Sequence, residues 1–310
     1  TFIGNASENT IQGGDGDDII YYTRGNDRYD GGNHTTTATG TQGSTAPYLG
    51  SGDWVSLAKE TTNRVDFDLR TSSVGGNITG NQATVVNIEN IIGYNDTLEP
   101  TLKQASTGYG NTGNNIFVMY GGTDHILGSN GNDIYDLGDG NDRASANESS
   151  SNGGTDTLIG GAGVDYLDYR HYWTNANGNI IILTSQNMNG TQYNVDIQSI
   201  AVSGLSIADN SYNFFKVRDG NSGWDYILQE GDGTADFEGF YLSSKADTFS
   251  GDADINIVLS YEGNDTIYTQ AGNDTITPAN GDDIIDGGLG IDLLIYENDA
   301  QVNLSTTTQG

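Results

Sequence analysis

Asp or Asn recurs every nine residues near the C-terminal end of the chain, and this period constrains the fold more than any other feature. An apolar residue follows each of them by two positions, and Gly precedes the last four by two positions. A fixed short period indicates stacked structural repeats rather than one irregular globular core. The periodic residues are Asp247, Asn256, Asp265, Asp274, Asp283 and Asp292, followed by Phe249, Val258, Ile267, Ile276, Ile285 and Leu294.

The same three-point pattern occurs twice more along the chain. It opens the sequence at Asn9, Asp18 and Asp27, and it returns in the middle at Asn115, Asp124, Asp133 and Asp142. After a slip of five residues it resumes at Asp156 and Asp165. The sequence therefore predicts three arrays of the same repeat.

Three nonapeptides match the pattern G-G-x-G-x-D-x-U-x completely, where U is a large apolar residue. They are Gly13 to Tyr21, Gly160 to Asp168, and Gly287 to Ile295. On these residues the chain resembles the RTX family of bacterial secreted proteins, whose nonapeptides bind calcium. Recognisable nonapeptides cover about 40% of the chain. The resemblance implies an all-β fold, a right-handed parallel β-roll, together with export by a type I secretion route and folding in the calcium-rich medium outside the cell.

We expect the first six residues of each nonapeptide to form a turn and the last three a short strand. If one nonapeptide makes half a coil, turns 18 residues apart stack directly on each other. A pair between Asn147 and Asp165 would cross the slip. The regular pairs are Asn9/Asp27, Asn115/Asp133, Asp124/Asp142, Asp247/Asp265, Asn256/Asp274, Asp265/Asp283 and Asp274/Asp292.

Stacked turns bring carboxylates and backbone carbonyls together, and like charges held this close repel unless a cation lies between them. Ca²⁺ accepts six to eight flexible oxygen ligands, whereas Mg²⁺ prefers a small hydrated octahedron and zinc prefers His or Cys. We expect about eight calcium ions. The candidate ligands are Asn9, Asp18, Asp27, Asn115, Asp124, Asp133, Asp142, Asp156, Asp165, Asp247, Asn256, Asp265, Asp274, Asp283 and Asp292.

The composition of the chain argues against two classes of function. The formal net charge is -31, with 33 Asp against 9 Glu and no Cys. Such a charge repels phosphate backbones and anionic lipid, and no apolar run is long enough to cross a bilayer, so we expect neither nucleic-acid binding nor membrane insertion. Asp, Asn and Gly favour turns, although an acidic Gly-rich chain is also compatible with disorder before metal binds.

The arrays alternate with segments that lack the nine-residue period. We predict arrays at 1–33, 113–168 and 246–296, β-rich inserts at 34–112 and 169–245, and the start of a further insert at 297–310. Array and insert together form a longer repeat of roughly 110–130 residues, which suggests a segment of a longer repetitive chain. The inserts either continue the roll with irregular metal-free coils or form small sandwiches, and the sequence leaves both open.

No H-E-x-x-H or G-x-S-x-G motif is present, so we do not expect an enzyme. The favoured function is a secreted, extracellular or cell-surface structural protein: an adhesin, surface layer or filament. Its expected partners are calcium, other copies of itself and a cell-surface or matrix polymer. The alternative is the calcium-folding module of a secreted enzyme or toxin. The aromatic run from Tyr166 to Trp173 is interpreted either as a plug on the roll or as a glycan-binding surface.

Overall fold

The computed structural model describes residues 1–33, 52–57, 65–70, 76–79, 83–93, 106–145, 154–170, 180–182, 193–197, 210–218, 224–229 and 235–296. Within these ranges every regular element is a β-strand, and no helix is long and apolar enough to cross a membrane. The strands, numbered in chain order, form two long sheets and one small one.

The first sheet contains, in spatial order, β1 (Phe2–Ile3), β3 (Ile19–Tyr21), β5 (Trp54–Ser56), β9 (Asn90–Ile92), β11 (Ile116–Val118), β14 (Ile134–Asp136), β17 (Thr157–Ile159), β23 (Trp224–Gln229), β22 (Asn210–Arg218), β20 (Ile180–Ile182), β25 (Thr248–Ser250), β27 (Thr266–Tyr268) and β29 (Ile284–Asp286), with β21 (Tyr193–Ile197) paired to β22. The second contains β2 (Thr10–Asp15), β4 (Arg28–Asn33), β8 (Ala83–Val86), β7 (Gly76–Thr79), β6 (Asp66–Asp68), β10 (Thr107–Tyr109), β13 (His125–Leu127), β16 (Arg143–Ser145), β19 (Tyr166–Asp168), β24 (Gly239–Tyr241), β26 (Ile257–Tyr261), β28 (Thr275–Pro278) and β30 (Leu293–Leu294). The small sheet stacks turn residues in β12 (Gly121–Gly122), β15 (Asp139–Gly140) and β18 (Ala162–Gly163).

Within the arrays, successive strands alternate between the two long sheets, and each pairs in parallel with the strand one coil further along. Phe2 pairs with Ile20 and Thr266 with Ile284, an offset of 18 residues. At the slip, Ile134 pairs with Thr157, so that coil is five residues longer. The prediction of two nonapeptides per coil is confirmed, and the fold is an all-β parallel β-roll.

The described parts of both inserts continue the roll. In the first insert, β8, β7 and β6 form an antiparallel meander between the parallel pairs β4–β8 and β6–β10. In the second, β23, β22 and β20 do the same between β17–β23 and β20–β25. Two antiparallel steps restore the original strand direction, so the next array resumes in parallel. Of the two alternatives for the inserts, the structure thus shows strands that extend the sheets.

The core is a narrow apolar column between the two long sheets. The eighth residue of each nonapeptide, which is the apolar residue two positions after Asp, fills this column. These side chains are at most 2% exposed. The exceptions lie in the terminal coils, where Phe2, Ile11, Ile285 and Leu294 are only partly buried. Strands of the inserts contribute Val55, Phe67 and Ile227 to the same column. The buried eighth-position residues are Ile20, Tyr29, Phe117, Ile126, Tyr135, Ala144, Leu158, Leu167, Phe249, Val258, Ile267 and Ile276.

A second apolar cluster lies on the opposite face of the first sheet. Alternate residues of a strand point to opposite faces, so Trp54 and Val118 face away from the column that contains Val55 and Phe117. Trp54 is 3% exposed and packs with Ile92 and Ile116. Its burial agrees with a packing role for this tryptophan.

Replacing Phe117 tests the column. Its ring centroid lies 5.8 Å from that of Phe67 and 5.6 Å from that of Tyr135, so Phe117→Ala opens a cavity between coils. We expect the free energy of unfolding in saturating calcium to fall by about 3–5 kcal/mol, measured by denaturant titration. Ile284→Ala, at a side chain 58% exposed, is the control and should change stability little. Equal losses for both variants would contradict a continuous core.

Candidate calcium sites

Sixth-position carboxylates of the nonapeptides connect neighbouring coils. In seven regular pairs, Oδ1 of the carboxylate accepts a hydrogen bond from the backbone N–H of the sixth-position residue in the preceding coil. The nitrogen–oxygen distances are 2.7 Å for Asn9 to Asp27, 2.7 Å for Asn115 to Asp133, 2.7 Å for Asp124 to Asp142, 2.9 Å for Asp247 to Asp265, 2.8 Å for Asn256 to Asp274, 2.9 Å for Asp265 to Asp283, and 3.2 Å for Asp274 to Asp292.

All seven regular pairs predicted from the period are therefore in contact. Asn147 lies outside the described residues, and Asp165 pairs with Asp142 instead, at 2.7 Å. Asp156 pairs with Asp133 at 2.8 Å in the same way. The slip lengthens the chain between the turns without breaking the stack of carboxylates.

Where the first position is glycine, the second carboxylate oxygen points into the space that the missing side chain leaves open. A Cβ placed on first-position Gly13 would lie 2.6 Å from Oδ2 of Asp18 and 2.3 Å from the carbonyl oxygen of Gly31. At the fourth position, a Cβ on Gly140 would lie 2.1 Å from the Gly122 carbonyl oxygen and 2.8 Å from Oδ1 of Asp142. The two glycines thus keep carboxylate and carbonyl oxygens facing a common space.

Burial makes these carboxylates costly without a cation. Asp165 is fully buried, and its Oδ2 has no hydrogen-bond partner among the described residues. Desolvation raises the pKa of Asp165 to about 6, against the hydrogen bond from the Asp142 N–H, which lowers it. Burial likewise raises the pKa of Asp265 to about 6. An uncompensated buried carboxylate favours either protonation or a bound cation.

The donor set fits calcium. In the part of the chain that the structure describes, no site gathers three or more His, Cys, Asp or Glu side chains, so an ion between two turns would rely on carbonyl oxygens as well as carboxylates. Ca²⁺ accepts such mixed oxygen ligands, whereas zinc sites use nitrogen and sulfur.

Asn9 and Asn115 differ from the aspartates that follow them in their stacks. The Nδ2 of Asn9 donates to the carbonyl oxygen of Asn5 at 2.9 Å, and that of Asn115 donates to the carbonyl of Glu89 at 2.7 Å. An amide NH₂ cannot ligate a cation, and here it donates to a backbone carbonyl oxygen. Asn9 and Asn115, predicted as ligands, therefore begin their stacks with amide hydrogen bonds on this side.

Four acidic residues of the inserts join the stacks, and the period of nine did not identify them. Asp18 N–H donates to Asp53 at 2.7 Å, and Asp156 N–H donates to Asp225 at 3.2 Å. Glu89 and Glu238 are the other two. Each precedes an apolar core residue by two positions, and this shared signal could have revealed them without the fixed spacing: Val55, Ile91, Ile227 and Phe240.

The described part of the Tyr166–Trp173 run packs within the protein. Tyr169 is fully buried, and its hydroxyl donates to Oδ2 of Asp225 at 2.9 Å. Tyr166 stacks on Tyr241 with ring centroids 5.2 Å apart. Residues 171–173 lie outside the described ranges. For Tyr166 and Tyr169 the structure favours packing over a ligand surface.

Fold and turns together define a parallel β-roll of stacked, carboxylate-bearing nonapeptides. The family described as the RTX calcium-binding nonapeptide repeat (4 copies) matches residues 1–29, 109–144, 150–169, 242–276 and 260–294. The arrays are therefore RTX calcium-binding nonapeptide repeats, a calcium-binding module of the kind found in type I secreted, extracellular proteins. A search of curated proteins gave no match.

Calcium should control folding. Without metal the buried carboxylates repel, so we expect the β signal in far-UV circular dichroism to be largely lost in chelator and to return in millimolar calcium. Magnesium at the same concentration is the control and should restore much less. A native β signal that persists in chelator would contradict this prediction.

Neutralising one sixth-position carboxylate should weaken calcium binding. Asp142→Asn keeps an oxygen that accepts from Asp124 N–H but removes the charge, so we expect the calcium concentration for half-maximal folding to rise roughly tenfold or more. Asp139→Asn, at an exposed turn position of the same coil, is the matched control. Equal calcium midpoints for both variants would show that Asp142 is not a ligand.

Proposed function

We propose that the chain is a calcium-dependent structural segment of an extracellular or cell-surface protein, such as an adhesin, surface layer or filament, without catalytic activity. The observation that carries this proposal is the continuity of the roll. Strands of both inserts add to the same two sheets as the arrays, so that the described chain extends in one direction. A repeated module that extends its own sheets can form a long, continuous structural segment.

Exposed apolar side chains on the described part of the roll support association between modules. Leu293 is 55% exposed, Ile291 84% and Ile3 61%. Exposed apolar surface favours contacts with another protein surface.

The module also suits two other uses. RTX repeats also suit the calcium-folding part of a secreted enzyme or toxin, and a catalytic motif elsewhere in the full-length protein would favour that use. Binding of a glycan or matrix polymer by an insert is compatible with a structural role. Loss of glycan-array binding in a Trp173→Ala variant would support it.

Calcium should drive assembly. We expect sedimentation velocity and electron microscopy to show elongated assemblies when calcium is added, and single chains in chelator. Leu293→Lys places a charge on an exposed apolar surface and should reduce assembly without changing calcium-induced folding. Ile255→Lys, at a side chain 51% exposed within an array, is the matched control. A folded chain that stays monomeric at every calcium concentration would contradict self-association.

A further inference from the structure

Each insert contains a short segment of the form Asx–apolar–Glu. In the first insert it is Asn87–Ile88–Glu89, immediately before β9, and in the second it is Asp236–Phe237–Glu238, immediately before β24. Ile88 and Phe237 are buried in the apolar column. These segments replace the six-residue turn of a nonapeptide and lie outside its G-G-x-G-x-D pattern.

The glutamate takes the place of the sixth-position aspartate. Oε2 of Glu238 accepts from the N–H of Asp165 at 2.8 Å, and Oε2 of Glu89 accepts from the N–H of Asp53 at 2.8 Å. In the preceding coil, Oδ1 of Asp165 accepts from the N–H of Asp142 at 2.7 Å. The carboxylate of each glutamate therefore contacts the neighbouring turn as the array carboxylates do.

The carbonyl of the Asx residue takes the place of a glycine carbonyl. A Cβ on Gly160 would lie 2.1 Å from the carbonyl oxygen of Asp236 and 2.9 Å from Oδ2 of Asp165. On Gly31 it would lie 2.1 Å from the carbonyl of Asn87 and 2.3 Å from Oδ2 of Asp53. The oxygens thus converge around one glycine, as they do around Gly13 within an array.

One of these oxygens is buried and without a hydrogen-bond partner. Asp165 is 0% exposed, and its Oδ2 faces Gly160 and the insert turn. The carboxylate of Asp236 is already used, since its Oδ2 accepts from Gly161 N–H at 2.8 Å. The oxygen of Asp165 therefore points toward the insert, at the boundary where the array ends.

We propose that each insert supplies a calcium site that closes the preceding array. Asp165, the carbonyl of Asp236 and Glu238 form one site, and Asp53, the carbonyl of Asn87 and Glu89 form the other. The proposal rests on calcium binding by the nonapeptide turns and adds ligands that lie outside them. Two carboxylates and a carbonyl leave the ion room for further oxygen ligands. This suits Ca²⁺ better than Mg²⁺, which prefers a compact shell.

The other edge of each array ends differently. There the hydroxyl of Tyr29 donates to Oδ2 of Asp27 at 2.6 Å, and the hydroxyl of Tyr169 donates to Oδ2 of Asp225 at 2.9 Å. A hydroxyl donor satisfies the second carboxylate oxygen without an ion. Closure by calcium is thus specific to the two glutamate-bearing segments.

Glu238→Gln and Glu89→Gln test the proposal. Glutamine keeps an oxygen that accepts the backbone N–H but removes the charge, so a purely structural role would be preserved. We expect equilibrium dialysis with radioactive calcium, on the full 310-residue chain, to show one fewer bound ion for each variant and two fewer for the double variant. Glu262→Gln, exposed within an array turn, should keep the wild-type count.

Unchanged ion counts and affinities in both variants would overturn the proposal. If Glu238→Gln does not fold in saturating calcium, Glu89→Gln decides. One bound ion fewer in folded Glu89→Gln supports the proposal, whereas an unchanged ion count and affinity overturns it. Ion counting on the single chain is independent of assembly, so failure here leaves the proposed structural function untouched.

Discussion

The structure depends on a carboxylate that is buried between two coils. One oxygen of the sixth-position Asp accepts the backbone N–H of the preceding coil, as between Asp142 and Asp124, and this hydrogen bond fixes the spacing of the turns. Where the first position is glycine, as at Gly13 and Gly160, the second oxygen lies against it, and a side chain there would collide with that oxygen. Those coils therefore need Gly at this place, and the stack needs a cation because several like charges lose their hydration together. Each strand contributes only one side chain to the apolar column. Most of the folding free energy should therefore depend on that cation.

The ends of the stacks follow the same requirement. A terminal carboxylate or carbonyl lacks a neighbouring turn, and the chain supplies a substitute of suitable charge. At the start, the amides of Asn9 and Asn115 donate to carbonyls. At the end, a tyrosine hydroxyl donates to Asp27 or Asp225, whereas Glu89 and Glu238 extend the row of carboxylates by one. An amide or hydroxyl donor at an end takes the place of an ion, whereas a glutamate adds a carboxylate that requires one.

The period of nine predicted the arrays, the offset of 18 residues, the inward apolar positions and the paired carboxylates. It could not predict how the inserts join. Asp53 lies 35 residues from Asp18, and Asp225 lies 69 residues from Asp156, so insert length, and not a repeat, decides which turns meet. The antiparallel strands of the inserts carry no nine-residue signal. Only the spacing between a carboxylate and the core residue two positions later is kept, because it belongs to the geometry of one half-coil.

Sites made from two coils couple each turn to its neighbours. An ion bound between two turns orders both, and the ordered turn presents its outward oxygen to the next coil, so binding should spread along an array as in other solenoids. A break in the array would stop this spread at the first turn that lacks a carboxylate. Because the inserts keep strand direction and place Glu89 and Glu238 at the boundary, order can pass from array to insert through hydrogen bonds and charge rather than through the apolar column alone. The acidic composition of the chain is then a requirement of this coupling, since each coil needs a charge that its neighbour and an ion can share.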